Sequence, residues 1–309
     1  MKIYVMSQLL DYPQFSAIDM DMFQEVTQFC RSLDSGISEF SFSNIYLDSK
    51  KYQYTLSRLS PDSLILAGVS PARDFEGMNL GGRFFSIMGE TPRLEVLEEL
   101  FGQGYYWKNM SHQIYTQLAS ELEEKGCRIF EDRDNFDYLY RRTDLANLQG
   151  KSFHKKKNLV NAFTSNYASE VKPLDVYTLP AARVVLESWR KGRPEDEPGD
   201  YNQCLWALEN FQTLGFSGVL VLADGVPVGF SLGEFIQGGT MFVVLYEKGI
   251  NGYKGVYQFV NRAQALNLPP TVELINREQD LGNEGLRQAK MTYRPIDFTK
   301  KYLVVPAGR

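Results

Sequence analysis

The sequence predicts an α+β protein of two related halves, each a mixed, mostly antiparallel sheet flanked by helices. Three observations carry this expectation. The chain has 309 residues, a length that suits two domains of about 150 residues or one large one. Its C-terminal half changes hydrophobic period in a definite order: helix, helix, three strands, helix, strand, helix, strand. Its N-terminal half repeats that order more loosely.

The C-terminal elements read as follows. VVLESW places Val185 and Trp189 one turn apart, and YNQCLWALENFQTLG sets Tyr201, Cys204, Leu205, Leu208 and Phe211 on one helical face that Gly215 ends. KGRPEDEPGD between them is a turn-rich loop. After Gly215 come GVLVLA, an Asp224-Gly225 hairpin signal, VPVGFSLGEFI, a turn at Gln237 to Gly239, and TMFVVLYEK, which together predict a three-strand antiparallel meander. The turn INGYKG leads into a helix with Val256, Phe259, Val260, Ala263 and Leu266 inside, ended by Pro269 and Pro270. VELIN is then a short buried strand, EGLRQAKMTY a short helix, and KYLVV a closing strand.

In the N-terminal half a helix carries Phe23, Val26, Cys30 and Leu33. YQYTLSRL and SLILAGVS flank a turn at Ser60 to Asp62, and RFFSIMG is the third strand. A helix with Ile114, Leu118 and Leu122 ends at Gly126, and CRIF and DYLYRR read as further strands. The halves join near residues 145 to 160, so the expected domains are 1–150 and 151–309.

Composition narrows the function. Hydrophobic residues make up 43% and charged residues 23%, enough for a substantial core and against disorder. Three distant cysteines, Cys30, Cys127 and Cys204, argue against a disulfide framework and for a reducing compartment. Two separated histidines, His112 and His154, lack zinc-site spacing, so no structural metal is expected. MKIYVMSQLLDYPQF is too weak for a signal peptide, and the longest apolar runs are strand-sized where a membrane span needs ~20 residues. A cytoplasmic protein is the expectation.

Net charge is −5, yet residues 150 to 193 hold nine Lys or Arg against three acids, a segment that can attract a polyanion in an otherwise acidic protein. Within that segment KSFHKKKNLVNAF opens an amphipathic helix with a basic run. Lys155, Lys156 and Lys157 are candidates for gripping RNA phosphates, with Phe153, Phe163 and Tyr167 available for stacking; a solvated charged face is the other reading.

NGYKG, residues 251 to 255, sits between strand and helix. Glycines at such a turn let backbone N–H groups approach an anion, and Lys254 adds charge, so Gly252, Lys254 and Gly255 are donor-phosphate candidates. An ordinary strand-to-helix turn is the alternative. INREQDLGNEGLRQAKMTYRP packs Asn276, Arg277, Glu278, Asp280, Arg287 and Lys290 between a strand and a helix. A salt-bridged turn and a ligand cleft both need that many charges.

EKGINGYKGVYQFVNRAQA and INREQDLGNEGLRQAKMTYRP, with EFSFSNIYL and DYLYRRTDLANLQGKSFHKKKN, resemble the catalytic C-terminal domain of bacterial phosphatidylglycerol lysyltransferases and its uncharacterised soluble relatives. The resemblance spans almost the whole chain, with NREQDLG and GLRQAK its most specific part. It implies two tandem GNAT-like (acyl-CoA N-acyltransferase) domains, the first non-catalytic and the second catalytic. It also implies transfer of an acyl or aminoacyl group to an amine or hydroxyl. Aminoacyl-tRNA or acyl-CoA would be co-substrate, with no tightly bound cofactor, and the expected partners are tRNA and a small-molecule or lipid acceptor. The sequence departs from the family in lacking the membrane-spanning flippase portion and in placing Tyr246 before Glu247-Lys248-Gly249, where a histidine or other polar residue is expected.

In such a fold the strand VELIN splays from its neighbour at the cleft. Glu247, Arg277 and Glu278 are then the catalytic candidates: a glutamate to take the attacking group's proton and Arg277 or Lys248 to steady the oxyanion. Lys248, Asn276, Asp280, Arg287 and Lys290 are substrate-binding candidates, with Glu278 and Asp280 suited to an α-ammonium. A non-catalytic binding protein for RNA or an acylated ligand, keeping the same fold, is the alternative from another class.

Overall fold

Strand pairing divides this chain differently from its sequence order. A computed structural model describes residues 9–197 and 199–308. Residues 1–8, in which no secretion signal is read, and Pro198 of the turn-rich loop lie outside the described residues. The described residues form two compact units, one of residues 9–137 with 299–308 and the other within 138–298.

The first unit runs β1 (Ser16–Ala17), α1 (Phe23–Ser32), α2 (Phe42–Tyr52), β2 (Thr55–Ser60), β3 (Ser63–Phe75), β4 (Met78–Gly89), α3 (Leu94–Gly102), β5 (Tyr106–Ser111), α4 (His112–Glu124) and β6 (Arg128–Glu131). The second runs β7 (Asp137–Arg141), α5 (Arg142–Asn147), α6 (His154–Asn166), β8 (Ser169–Pro173), α7 (Leu179–Lys191), α8 (Tyr201–Glu209), β9 (Ser217–Ala223), β10 (Val226–Ile236), β11 (Met241–Gly249), α9 (Val256–Asn267), β12 (Leu274–Asn276), α10 (Glu284–Met291) and β13 (Asp297–Thr299). A last strand, β14 (Lys301–Val305), returns to the first sheet.

The two sheets share one plan. The first has the order β1-β2-β3-β4-β5-β14-β6 and the second β8-β9-β10-β11-β12-β7-β13. In each, an antiparallel meander is followed by one parallel pairing, β4 with β5 and β11 with β12, reached through a crossover helix as a parallel connection requires. The strand beyond is antiparallel and comes from the far side of the chain: β14 beside β5, β7 beside β12. The architecture is thus α+β with two mixed sheets.

A single boundary near 150, as the sequence suggests, would give β7 to the first sheet and β14 to the second; the chain instead crosses at 137/138 and at 298/299. One buried ion cluster in the first unit holds both crossing points. Lys301, fully buried, donates to Asp137 at 2.8 Å and to Glu39, while Ser38 donates its N–H and hydroxyl to Asp137 at 2.9 and 3.0 Å. Burial opposes the lysine's charge, but Asp137 and Glu39 together hold its pKa above the usual value. A buried charge with all its partners in place tolerates little displacement, because removing one leaves the others unpaired.

Local structure otherwise follows the sequence, except that Leu266, expected inside α9, is 52% exposed. Asp224 and Gly225 both take positive φ between β9 and β10, as a two-residue hairpin turn demands. The helix read through to Gly215 stops at Glu209 and continues as turns, with Phe211 and Leu214 still buried. The α9 face with Phe259, Val260 and Ala263 packs on Val219, Val221 and Val228 and on Phe163 of α6. No helix among the described residues is long and apolar enough to cross a membrane.

Candidate active site

The parallel contact of β11 with β12 lasts three residue pairs, Met241 with Leu274, Phe242 with Ile275 and Val243 with Asn276. Then the strands part. β11 continues to Gly249, whereas the chain after Asn276 turns sharply. The buried Asn276 carboxamide accepts the Glu278 N–H at 2.7 Å, and Glu278 and Leu281 both adopt φ of 53°. Left-handed backbone at non-glycine residues costs on the order of 1 kcal/mol or more each, and persists where surrounding contacts over-determine it.

Those contacts come from α10. Lys290 Nζ donates to the carbonyls of Arg277, Glu278 and Gln279 at 2.6, 3.0 and 2.5 Å. Asp280, with no exposed surface, accepts Arg287 Nε and Nη2 at 2.9 Å each, the Tyr138 hydroxyl at 2.5 Å and the Gly282 N–H at 2.9 Å. Burial alone would raise the Asp280 pKa; the Arg287, Tyr138 and Gly282 hydrogen bonds outweigh it and bring the value down to about 2.

Across the opening, Arg277 Nη2 meets Glu247 Oε1 at 3.2 Å, with both side chains less than 15% exposed. Asn261 of α9 donates to the other Glu247 oxygen at 3.2 Å. The Arg277 guanidinium lies over the Tyr293 ring, 4.9 Å from its centroid, and Lys156 Nζ of α6 lies 4.0 Å from the same centroid. Burial, and then the nearby Arg277, lower the Lys156 pKa against the pull of Glu247. Burial raises those of Tyr293 and Tyr140, so both phenols stay protonated near neutral pH. One carboxylate, one guanidinium, one amine of weakened basicity and a phenol therefore converge where two strands separate.

The predicted residues fall into three groups. Glu247, Arg277 and Lys156 come together, and Glu278 stands half-buried at the turn beside them. Asn276, Asp280, Arg287 and Lys290, read as substrate-binding, spend their polar groups on the turn itself: the carboxylate that would take a substrate ammonium is closed by a bidentate guanidinium, and the Lys290 ammonium is bound by three carbonyls. Lys248 is likewise buried away from Glu247 on the opposite side of β11, as strand alternation requires. Its Nζ is 2.7 Å from both Asp200 oxygens and 4.3 Å from the Trp189 ring centroid.

The donor-phosphate candidates divide too. Gly255 takes a left-handed conformation at the start of α9, where a Cβ would lie 2.1 Å from the Leu159 carbonyl oxygen; close passage of α6 explains that glycine. Gly252 and Lys254 are exposed, as are Lys155 and Lys157, while Lys156 alone of its run turns inward. Tyr293, Tyr140 and Asn261 were not picked out in the sequence. The signal for Asn261 was available, since it and Gln264 are polar residues three apart on a helix whose remaining buried face is apolar, and both are almost fully buried. Nothing comparable marks Tyr140 and Tyr293.

Comparison with known proteins places this geometry in context. Residues 30–305 match the family model described as phosphatidylglycerol lysyltransferase, C-terminal. A conserved protein of unknown function from Bacteroides thetaiotaomicron is similar at 26% identity and a TM-score of 0.81, over 94% of this chain and 99% of that one. The structure of L-PGS from Bacillus licheniformis shares the fold at a TM-score of 0.59 and 12% identity, over 93% and 92% of the two chains. An uncharacterised protein of Mycoplasmoides gallisepticum is 25% identical over 190 residues, and the match spans 57% of that relative's length and 57% of this chain.

Proposed function

The chain belongs to the phosphatidylglycerol lysyltransferase C-terminal family, and from that premise we propose that its second unit transfers an aminoacyl or acyl group to an amine or hydroxyl acceptor. The observation that carries this reading is the Glu247–Arg277 pair bridging the gap between β11 and β12. On the same reading the two units are tandem GNAT-like domains, the first non-catalytic.

The chemistry asks for little beyond placement. An ester or thioester carbonyl held against an attacking amine or hydroxyl needs no enzyme nucleophile, and positioning supplies ~7–11 kcal/mol of such a barrier. Glu247 takes the proton of the attacking group. A new N–C or O–C bond forms, the tetrahedral oxyanion is steadied by Arg277 and the protonated Tyr293, and the ester or thioester bond breaks as the proton passes to the departing tRNA hydroxyl or thiol. With Asp280 closed by Arg287, Glu278 is the carboxylate for the ammonium of an aminoacyl donor.

Aminoacyl-tRNA is the favoured donor over acyl-CoA, because the exposed Lys155 and Lys157 flank the inward-facing Lys156 on one helix and offer phosphate contacts beside the site. The test is a single-turnover assay of full-length protein with charged tRNA, acyl-CoA and a panel of amine, hydroxyl and lipid acceptors. Transfer that Glu247→Gln lowers by about 10²- to 10⁴-fold supports the reading. Binding of charged tRNA without turnover in any combination favours the non-catalytic binding protein instead.

A further inference from the structure

We infer that the first unit contains its own ligand cleft, suited to a small aliphatic amine, at the point where β4 and β5 part. This does not rest on the reading of the second unit.

The position comes from the sheet plan. β4 and β5 pair in parallel only at Phe84 with Tyr106 and Phe85 with Trp107, after which both strands run on, to Gly89 and Ser111. This is the opening that Glu247 and Arg277 bridge in the other sheet. Here β4 ends in Gly89, two residues past Ile87, and β5 ends in Ser111, whose hydroxyl is turned to cap α4 by accepting the Ile114 N–H. The opening leads into a cavity of about 590 Å³ whose lining includes Ile87, Gly89, Glu90, Ser111 and Gln113. That volume is in the range of small-molecule sites.

Its walls set the ligand's chemistry. The floor is apolar: Val26, Phe40, Leu64 and Ile87 line it, none more than 3% exposed. Among the described residues the lining carries Glu25, Asp34, Asp62 and Glu90 with one guanidinium, Arg58, which is paired with Asp11 and Glu25; Asp62 and Glu90 stand exposed at the rim. The turn bearing Asp62 is held against the end of β4, since Glu90 N–H donates to the Asp62 carbonyl at 3.1 Å and Gly89 has no side chain to push it away. An apolar floor under the exposed Asp62 and Glu90 carboxylates fits an aliphatic stem with a cationic end and disfavours an anion. A metal ion is the wrong occupant, because no three His, Cys, Asp or Glu groups among the described residues converge closely enough to hold one.

The experiment is calorimetric titration of the full chain with hexane-1,6-diamine and, as the charge-reversed control, adipate. The diamine is expected to bind and adipate not to. Asp62→Asn with Glu90→Gln, both at exposed positions, should weaken the diamine about 5- to 10-fold, as loss of two rim charges would. Gln28→Trp, which fills the cavity from the exposed face of α1 without changing charge, should abolish binding. Glu247→Gln should bind as wild type does. Absence of diamine binding, equal binding of adipate, an unchanged affinity in both cleft variants, or loss of binding in Glu247→Gln alone would each overturn the assignment.

Discussion

Arg277 Nη2 lies 3.2 Å from Glu247 Oε1, across a gap where the two strands that carry them have ceased to pair. Strands that separate expose backbone and charge to a cleft, and here the separated ends are joined by side chains alone. On the proposed reading the pair is both a fastening and a reactive centre, and substitutions can tell the two apart. Glu247→Gln keeps the shape and one of the two hydrogen bonds but removes the base and leaves the buried Arg277 guanidinium without its anion, so it also costs stability, and transfer should fall by more than that loss of folded protein accounts for. Arg277→Ala leaves a carboxylate buried without its cation and should cost about 3–5 kcal/mol in urea unfolding. A Glu247→Gln variant with wild-type turnover would exclude Glu247 as the base.

Asp280 links stability to pH. Its folded pKa of about 2 lies below the ordinary value of 3.8. A depressed carboxylate contributes stability that is present above the unfolded pKa and lost as pH falls through the folded one. The contribution is on the order of 2 kcal/mol at neutral pH. Asp280→Asn should thus be less stable than wild type at pH 7, and the gap should narrow as pH drops from about 4 toward 2. Urea midpoints at both ends of that range measure it, and a constant gap would contradict the assignment.

Lys290 holds the turn after β12 through three carbonyls. Lys290→Met keeps the stem and removes the ammonium, leaving those carbonyls without their donor at about 1–3 kcal/mol each if they stay dry. Amide exchange should accelerate locally at residues 277–282 before any global change, and transfer should drop because Arg277 is no longer held. Unchanged exchange in that segment would show that the turn stands without its lysine.

Lys155 and Lys157 are exposed neighbours of an inward lysine. If they contact tRNA phosphates, replacing both with alanine should reduce the slope of log affinity against log salt by about 1.4–1.8, at 0.7–0.9 per phosphate contact. Filter binding of charged tRNA over a range of salt concentrations measures that slope. An unaltered slope would remove this face from tRNA recognition.

The last strand belongs to the first sheet, so truncation after Phe298 should damage the opposite end of the chain. Loss of β14 exposes β5 and β6 and leaves Asp137 and Glu39 without Lys301. Limited proteolysis should cut first within residues 9–137, with 138–298 persisting longer. Preferential cleavage of the second unit would contradict the strand exchange.

Hydrophobic period, hairpin residues and helix stops were legible in the sequence, and they determined the meander from Ser217 to Gly249, the helix after NGYKG and the α+β class. These are local properties: a side chain alternates or recurs every three to four residues whatever lies beside it. The tertiary structure alone decided that β7 and β14 exchange sheets, because a strand's pattern says that it is half-buried and not which distant strand its N–H groups will meet. It also decided which charges are spent on holding the fold. Partner geometry committed Asp280, Arg287, Lys290 and Lys248 to the fold and left Glu247 paired with Arg277 and Lys156 beside them at the Tyr293 ring. Charge sequence cannot show that sorting, since the energy of a buried ion depends on how completely its surroundings replace water.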